Sequence, residues 1–279
     1  MKKNHEILFT PMKVGGVTIQ NRFVHAPMDG TSPIEGLLDS HQYLIERAKN
    51  GVGLIIPGIT CVKNLSGNKW LHENGGSLEN RCRFVTDIIK AIKKECGEDY
   101  PVIVRYSVTS KMRGFNKGAV PGEIYDKFGR DYEESIACAK ILEEAGADAL
   151  DADNGSYDSW FWAHPPVYMP LACILKDAAF IKKHVKIPVF CAGRMENPDT
   201  SAKAIKDGLI DGVAIGRRFL ADGEYCKKVK EGKTDDIRPC IACHNGCFAI
   251  SQLKIGGTGM NLAGNGHCAI NPYTLEENK

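Results

Sequence analysis

The chain has 279 residues, 43% hydrophobic and 25% charged, the make-up of a globular protein with one large domain or two small ones. A net charge of +2, with basic residues spread along the chain, argues against nucleic-acid binding. No apolar run approaches the roughly 18 residues of a membrane span. The N-terminal stretch lacks the apolar core of a signal peptide, and eleven cysteines without an export signal indicate a reducing compartment, the cytoplasm.

The opening KVGGVTI carries two short β-prone pieces around Gly15-Gly16 and predicts a hairpin. FVHAP (23–27) reads as a buried strand, followed by a polar loop and a helix around 39–50. LIIPG (54–58) is a second strand. A helix follows at 78–95, with Phe84, Ile88, Ile89 and Ile92 at helical spacing. VIVRYS (102–107) is a third strand, and the Gly-rich stretch 109–130 a loop. A helix at 131–145 ends at Gly146, a C-cap residue. ADALDA (147–152), PVFCAG (188–193) and GVAIG (212–216) complete six strands, with a helix at 198–207 between the last two. Strands apolar on both faces, alternating with helices, predict a parallel α/β sheet. A change of composition near 232 divides a region 1–231 from a cysteine-bearing tail, 232–279.

That tail holds Cys240, Cys243, Cys247 and Cys268 in CIACHNGC…CAINP. A tight loop can aim three thiolates at one place while a returning segment supplies the fourth. Four thiolates suit an iron–sulfur cluster or a zinc ion, and the compact C-x2-C-x3-C triplet favours the cluster over zinc or unligated thiols. The scattered Cys61, Cys82, Cys96, Cys138, Cys173, Cys191 and Cys226 read as small buried hydrophobes.

Two strand ends carry Gly-Arg, at Gly193-Arg194 and Gly216-Arg217. In (β/α) barrels the loops after the last two strands commonly hold a phosphate, because glycine lets backbone N–H groups approach and arginine adds a charge-assisted fork. Arg105 interrupts an apolar strand and needs a partner there. Asp151 or Asp153 on the next strand would serve, as would an electron-rich cofactor. His164, in the stiff segment WFWAHPP after the fourth strand, is either a packed loop histidine or a donor to a substrate carbonyl. His25 reads as a satisfied strand histidine, and His244 as a loop residue rather than a ligand.

Together these pieces resemble the old yellow enzyme superfamily of NADH:flavin oxidoreductases. The likeness is to the branch of 2,4-dienoyl-CoA reductase, enoate reductase and bile-acid-inducible steroid oxidoreductases. LFTPMKVGGVTIQNRFVHAPM looks like that family's hairpin and first strand. NKWLHENGGSLENRCRF looks like its signature N-K-R-x-D-x-Y-G-G-S-x-x-N-R-x-R-F. PVFCAGRM and DGVAIGRRFLADGEYCKKVKEGKTDDIRPCIACHNGC…CAINP look like its closing strands and iron–sulfur loop. The resemblance implies a TIM barrel with FMN at the C-terminal strand ends. Ala26, Pro27 and Met28 would lie against the flavin, with Gly58 nearby and Arg105 at its N1–C2=O edge. Gly193, Arg194, Gly216 and Arg217 would hold its phosphate. The four cysteines would carry a [4Fe–4S] cluster, and His164 would assist protonation.

The chain also departs from the family. The signature normally follows the fourth strand, whereas here it follows the second after the junction CVKNLSG. A parallel crossover takes a dozen or more residues, so two βα units are missing and the barrel is expected to be incomplete, with about six main strands. The family's flavin-contacting glutamine, its His-x-x-His or His-x-x-Asn substrate pair and its tyrosine donor go with them. The FAD and NAD domains that follow CAINP in larger members are also expected to be lacking. The expected activity is reduction of the C=C bond of an enoate, enoyl-CoA or steroid enone. Electrons would come from NAD(P)H, an electron-donor protein or an FAD domain. The alternative is a catalytically impaired flavin/iron–sulfur-binding or electron-transfer module. Oligomeric state, a homo-oligomer included, is left open.

Overall fold

A computed structural model describes residues 1–26, 37–56, 76–249 and 268–274. An N-terminal 3-10 turn (Lys3–Phe9) leads into a hairpin of β1 (Met12–Val14) and β2 (Val17–Ile19). There follow β3 (Phe23–His25), α1 (Leu37–Lys49), β4 (Leu54–Ile55), α2 (Leu78–Cys96) and β5 (Ile103–Ser107). A second hairpin, β6 (Met112–Gly114) and β7 (Lys117–Gly118), precedes α3 (Tyr132–Glu144) and β8 (Ala149–Asp153). Then come α4 (Trp160–Ala163), α5 (Leu175–Lys182), β9 (Val189–Cys191) and α6 (Pro198–Lys206). β10 (Gly212–Ile215), α7 (Arg217–Ala221) and α8 (Tyr225–Glu231) complete the run, and a π-helical turn (Asn245–Ala249) lies in the tail.

Among the described residues the main sheet has six strands, in the order β4-β3-β10-β9-β8-β5. Every pairing in it is parallel. The first of its strands pairs with the last, Val24 opposite Ala214, which is the closure of a barrel and not the order of a doubly wound sheet. β4 and β5 are the edges. The fold is therefore an incomplete TIM-barrel-like α/β fold, as the short junction after β4 predicts.

Period-two alternation divides the core. Leu150, Ala152, Val189, Cys191, Val213 and Ile215 point outward into a large core shared with the helices. Val24, Ala26, Ala149, Phe190, Ala192 and Ala214 point inward with Val14 and Ile19 of the first hairpin. That hairpin plugs the N-terminal end of the sheet. A Cβ on Gly16 would come within 2.5 Å of the Asp99 carbonyl, so the close approach requires glycine. Lys93 braces the same end, donating to Asp148 Oδ2 (2.7 Å) and to the carbonyls of Glu98 and Tyr100.

Three expectations need correction. The stretch 109–130 is not all loop, because it contains β6 and β7, which are too short to show a period. Cys96 is exposed at the end of α2, whereas Cys82, Cys138, Cys191 and Cys226 are buried as expected and Cys173 is half-buried. The buried stripe of α2 is Cys82, Thr86, Ile89 and Lys93. Phe84 and Ile88 are 46% and 42% exposed, on the other side of α2 from its buried stripe. Pro27, Met28, Gly58, Cys61 and the first part of the signature stretch, 68–75, lie outside the described residues.

Candidate functional site

The C-terminal strand ends gather most of the residues singled out from the sequence. Ala26 follows β3 and is buried on the inner face, its N–H bonded to the Ile215 carbonyl. Arg105 stands opposite Asp151 in the β5–β8 register. It donates from Nη1 to Asp151 Oδ2 (2.9 Å) and pairs through Nη2 with Asp153 Oδ2 (2.7 Å). Its side chain is 31% exposed, while those of the carboxylates are 0% and 9% exposed. The guanidinium is thus the accessible face of a buried ionic cluster. Burial pushes the Asp153 carboxyl up to about 7, against the pull of Arg105, and raises that of Asp151 as well.

The loop after β8 brings in His164. Its N–H bonds the Trp160 carbonyl at 2.9 Å, and the two rings sit 4.5 Å apart. Trp162 anchors the loop by donating to the Ala119 carbonyl at 2.6 Å. Burial, then the charges of Arg105 and Arg217 and the neighbouring His244, lower the His164 pKa to about 4. The ring is therefore neutral at pH 7 and can donate one hydrogen bond, but it is not a reservoir of imidazolium.

Gly193-Arg194 and Gly216-Arg217 end the neighbouring strands β9 and β10, as expected. Their side chains do more than the phosphate reading foresees. Gly193 has φ +81°, and a Cβ there would meet Ile174 Cδ1 at 2.4 Å. Arg194 Nη1 donates to the carbonyls of Met169 (2.6 Å), Val167 (3.1 Å) and Pro166 (3.4 Å), tying down the far side of the His164 loop. Arg217 Nη2 donates to the Pro165 carbonyl at 2.7 Å, and its Nη1 reaches His244 Nε2.

His244 belongs to the cysteine loop, so Arg217 links that loop to the segment holding His164. Cys240, Cys243, Cys247 and Cys268 line one small cavity together with Arg217, His244 and Leu220. Left-handed backbone at Ala242 (φ 51°) and His244 (φ 61°) bends the loop around it. Asn271 and Thr274 donate to the Leu220 carbonyl at 2.8 and 2.7 Å and fasten the segment bearing Cys268 to α7. Burial raises the Cys247 thiol to about 11, with Arg217 pulling the other way. Among the described residues no three His, Cys, Asp or Glu side chains converge as a single metal ion requires.

One group was not foreseen. Tyr43 packs with Leu220, Cys247 and Cys268. Arg47, 1% exposed, lies 3.7 Å over the Tyr43 ring and donates to the Phe219 carbonyl at 2.9 Å. His25 donates to or accepts from Tyr43 Oη at 3.1 Å and stacks on Phe219. The spacing of Tyr43 and Arg47, four apart on one helix, was the available signal. Among the described residues no helix is long and apolar enough to cross a membrane.

Comparison with known proteins gives consistent matches. The model of the NADH:flavin oxidoreductase / NADH oxidase family matches residues 7–70 and 62–236, and its two parts meet at the short junction after β4. Cinnamate reductase of Clostridium sporogenes is 46% identical over 200 residues, covering 72% of this chain and 29% of that protein. NADH oxidase of Thermoanaerobacter brockii is 36% identical over 213 residues, covering 75% and 29%. The chain thus spans under a third of the length of these relatives. The solved structure of a 2-naphthoyl-CoA reductase complex superposes with a TM-score of 0.79 at 21% identity, over 98% of this chain and 58% of that one, and supports the fold.

Proposed function

The chain belongs to the NADH:flavin oxidoreductase / NADH oxidase family, and from that premise we propose that it binds FMN and a [4Fe–4S] cluster and reduces the C=C bond of an α,β-unsaturated carbonyl. The observation that carries the proposal is Arg217. It touches both the cysteine loop and the His164 loop, so the two candidate cofactor sites are neighbours joined by one side chain.

The residues present fit both groups. The alanines of the inner face leave a shallow apolar floor, and Arg105 presents an accessible cation beside it. Ala26 would lie under the flavin, with Pro27, Met28 and Gly58 beyond it. Backbone N–H groups at Gly193 and Gly216 would hold the phosphate. Arg194 and Arg217 would add charge while still fastening their loops. Cys240, Cys243, Cys247 and Cys268 would hold the cluster. When bound, FMN supplies a hydride for the β-carbon and the cluster relays single electrons, drawn from NAD(P)H or a partner domain. His164, neutral and fixed against Trp160, would donate a hydrogen bond to the substrate carbonyl. One such donor contributes about 3–4 kcal/mol to transition-state stabilisation. The similarity to cinnamate reductase makes an aryl enoate the first substrate to try.

A second reading rests on the open edges β4 and β5: a site lacking one wall could hold cofactors and pass electrons without turning over substrate. Anaerobic assay of purified protein with cinnamate or an enone separates the two. Consumption of the double bond with dithionite-reduced viologen or NADH supports the reductase. Full cofactor loading with no turnover supports the electron-transfer module.

A further inference from the structure

We propose that Asp151 and Asp153 share a single proton at neutral pH and, with Arg105, form a charge-compensating proton site for the redox group bound at the inner face of the sheet. The inference rests on the flavin reading above. Parallel register puts Arg105 opposite Asp151, and alternation puts Asp153 on the same face two residues on. The guanidinium does not grip one carboxylate with both arms. It gives one arm to each, at 2.9 and 2.7 Å.

One cation facing two carboxylates leaves a net negative charge at a place almost closed to water. Asp151 is fully buried, and among the described residues its Oδ1 has no hydrogen-bond partner. An ionised carboxylate with a bare, buried oxygen is costly, and two carboxylates sharing a site resist ionising together. A shared proton removes the excess charge. The groups facing the pair leave that balance in place. Arg105 comes from β5, His164 is neutral and feels Arg105, and Cys191 of β9, which feels both carboxylates, stays a thiol because burial raises it. Burial drives both carboxyls upward, in agreement with the geometry.

The exposed guanidinium is the part a ligand meets. A negative charge set beside it competes with the carboxylates for its field. The proton affinity of the pair then rises, and one proton enters from solvent. A flavin reduced by hydride would carry one negative charge beside Arg105, and the proton the pair takes up from solvent would balance it. When that charge is lost on reoxidation, the pair would return the proton to solvent. Asp151 and Asp153 act through Arg105 and are positioning residues.

The test begins with cofactor-free protein labelled with ¹³C at the aspartate carboxyls, followed by infrared or NMR titration from pH 5 to 9. One carboxyl should titrate near neutrality and vanish from that range in Asp153→Asn. Wild-type protein in which every aspartate is ionised above pH 5.5 overturns the proposal, whether or not either variant folds. In FMN-loaded protein, the midpoint potential should show one more proton taken up per two electrons in wild type than in Asp153→Asn or Asp151→Asn. Identical pH slopes overturn the coupling. Failure to bind FMN refutes the flavin reading, while the carboxyl titration still decides the fate of the pair.

Discussion

Replacing Arg194 with methionine, of similar reach and no charge, asks whether its fork holds a loop or a phosphate. In the structure Nη1 serves three carbonyls of the His164 loop, but not equally. The contacts to Met169 (2.6 Å) and Val167 (3.1 Å) are good hydrogen bonds, and the one to Pro166 (3.4 Å) is marginal. Two charge-assisted bonds would contribute about 3–6 kcal/mol if the acceptors were left dry. Val167 is 65% exposed, so its carbonyl regains water and the expected loss is about 2–3 kcal/mol. The loss should be local. The loop's own bonds, Met169 N–H to Pro166 and Ala172 N–H to the Arg194 carbonyl, report on it. Native-state hydrogen exchange of cofactor-free R194M should be roughly 30- to 150-fold faster at those amides, at about 1.4 kcal/mol per tenfold, with the sheet unaffected. Unchanged exchange in the loop, with only FMN affinity reduced, would refute the reasoning and return Arg194 to a pure phosphate role.

Other consequences follow from the same geometry. Alanine at Cys240, Cys243, Cys247 or Cys268 should abolish bound iron and sulfide, whereas Cys138→Ala should keep both, as measured by metal and sulfide analysis. His25 is 1% exposed, and burial first, then Arg47, holds it near pKa 4 instead of 6.5. The unfolded chain therefore binds its proton first as pH falls. Stability should drop by up to about 3 kcal/mol between pH 6.5 and 4 through this group, read as the difference between wild type and His25→Phe in urea unfolding. Arg217→Met should raise the pKa of both His164 and His244 in cofactor-free protein. Imidazole ¹⁵N shifts that do not move would remove Arg217 as the link between the two loops.

The strands were legible because each is a short apolar run bounded by glycine, proline or charge. All six expected strands are present within a residue or two of their expected places, apart from the end of 54–58, which lies outside the described residues. The cysteine spacing likewise foretold a common cavity. Helix α5 was missed, since ACILKDAAFIKK has apolar residues on most sides and no clean stripe. The partners of Arg194 lie 25 to 28 residues away in sequence, and no local pattern encodes such a contact. Arg105 takes the first of its two expected readings, paired with Asp151 and Asp153, and its side chain stays 31% exposed. Periodicity along α2 identified an amphipathic helix but not which side would be covered, because that depends on its packing against α3, distant in sequence.

The central claim is that one chain assembles a flavin site and a cysteine-bound cluster side by side. The direct measurement is cofactor content of anaerobically purified protein, with FMN, iron and sulfide quantified per chain beside its absorption spectrum. The account predicts about one FMN with about four iron and four sulfide. Both cofactors should be lost separately, the cluster in Cys247→Ala and the FMN in Gly216→Val. Protein that takes up zinc at the cysteines, or that binds no FMN after anaerobic reconstitution, would contradict it.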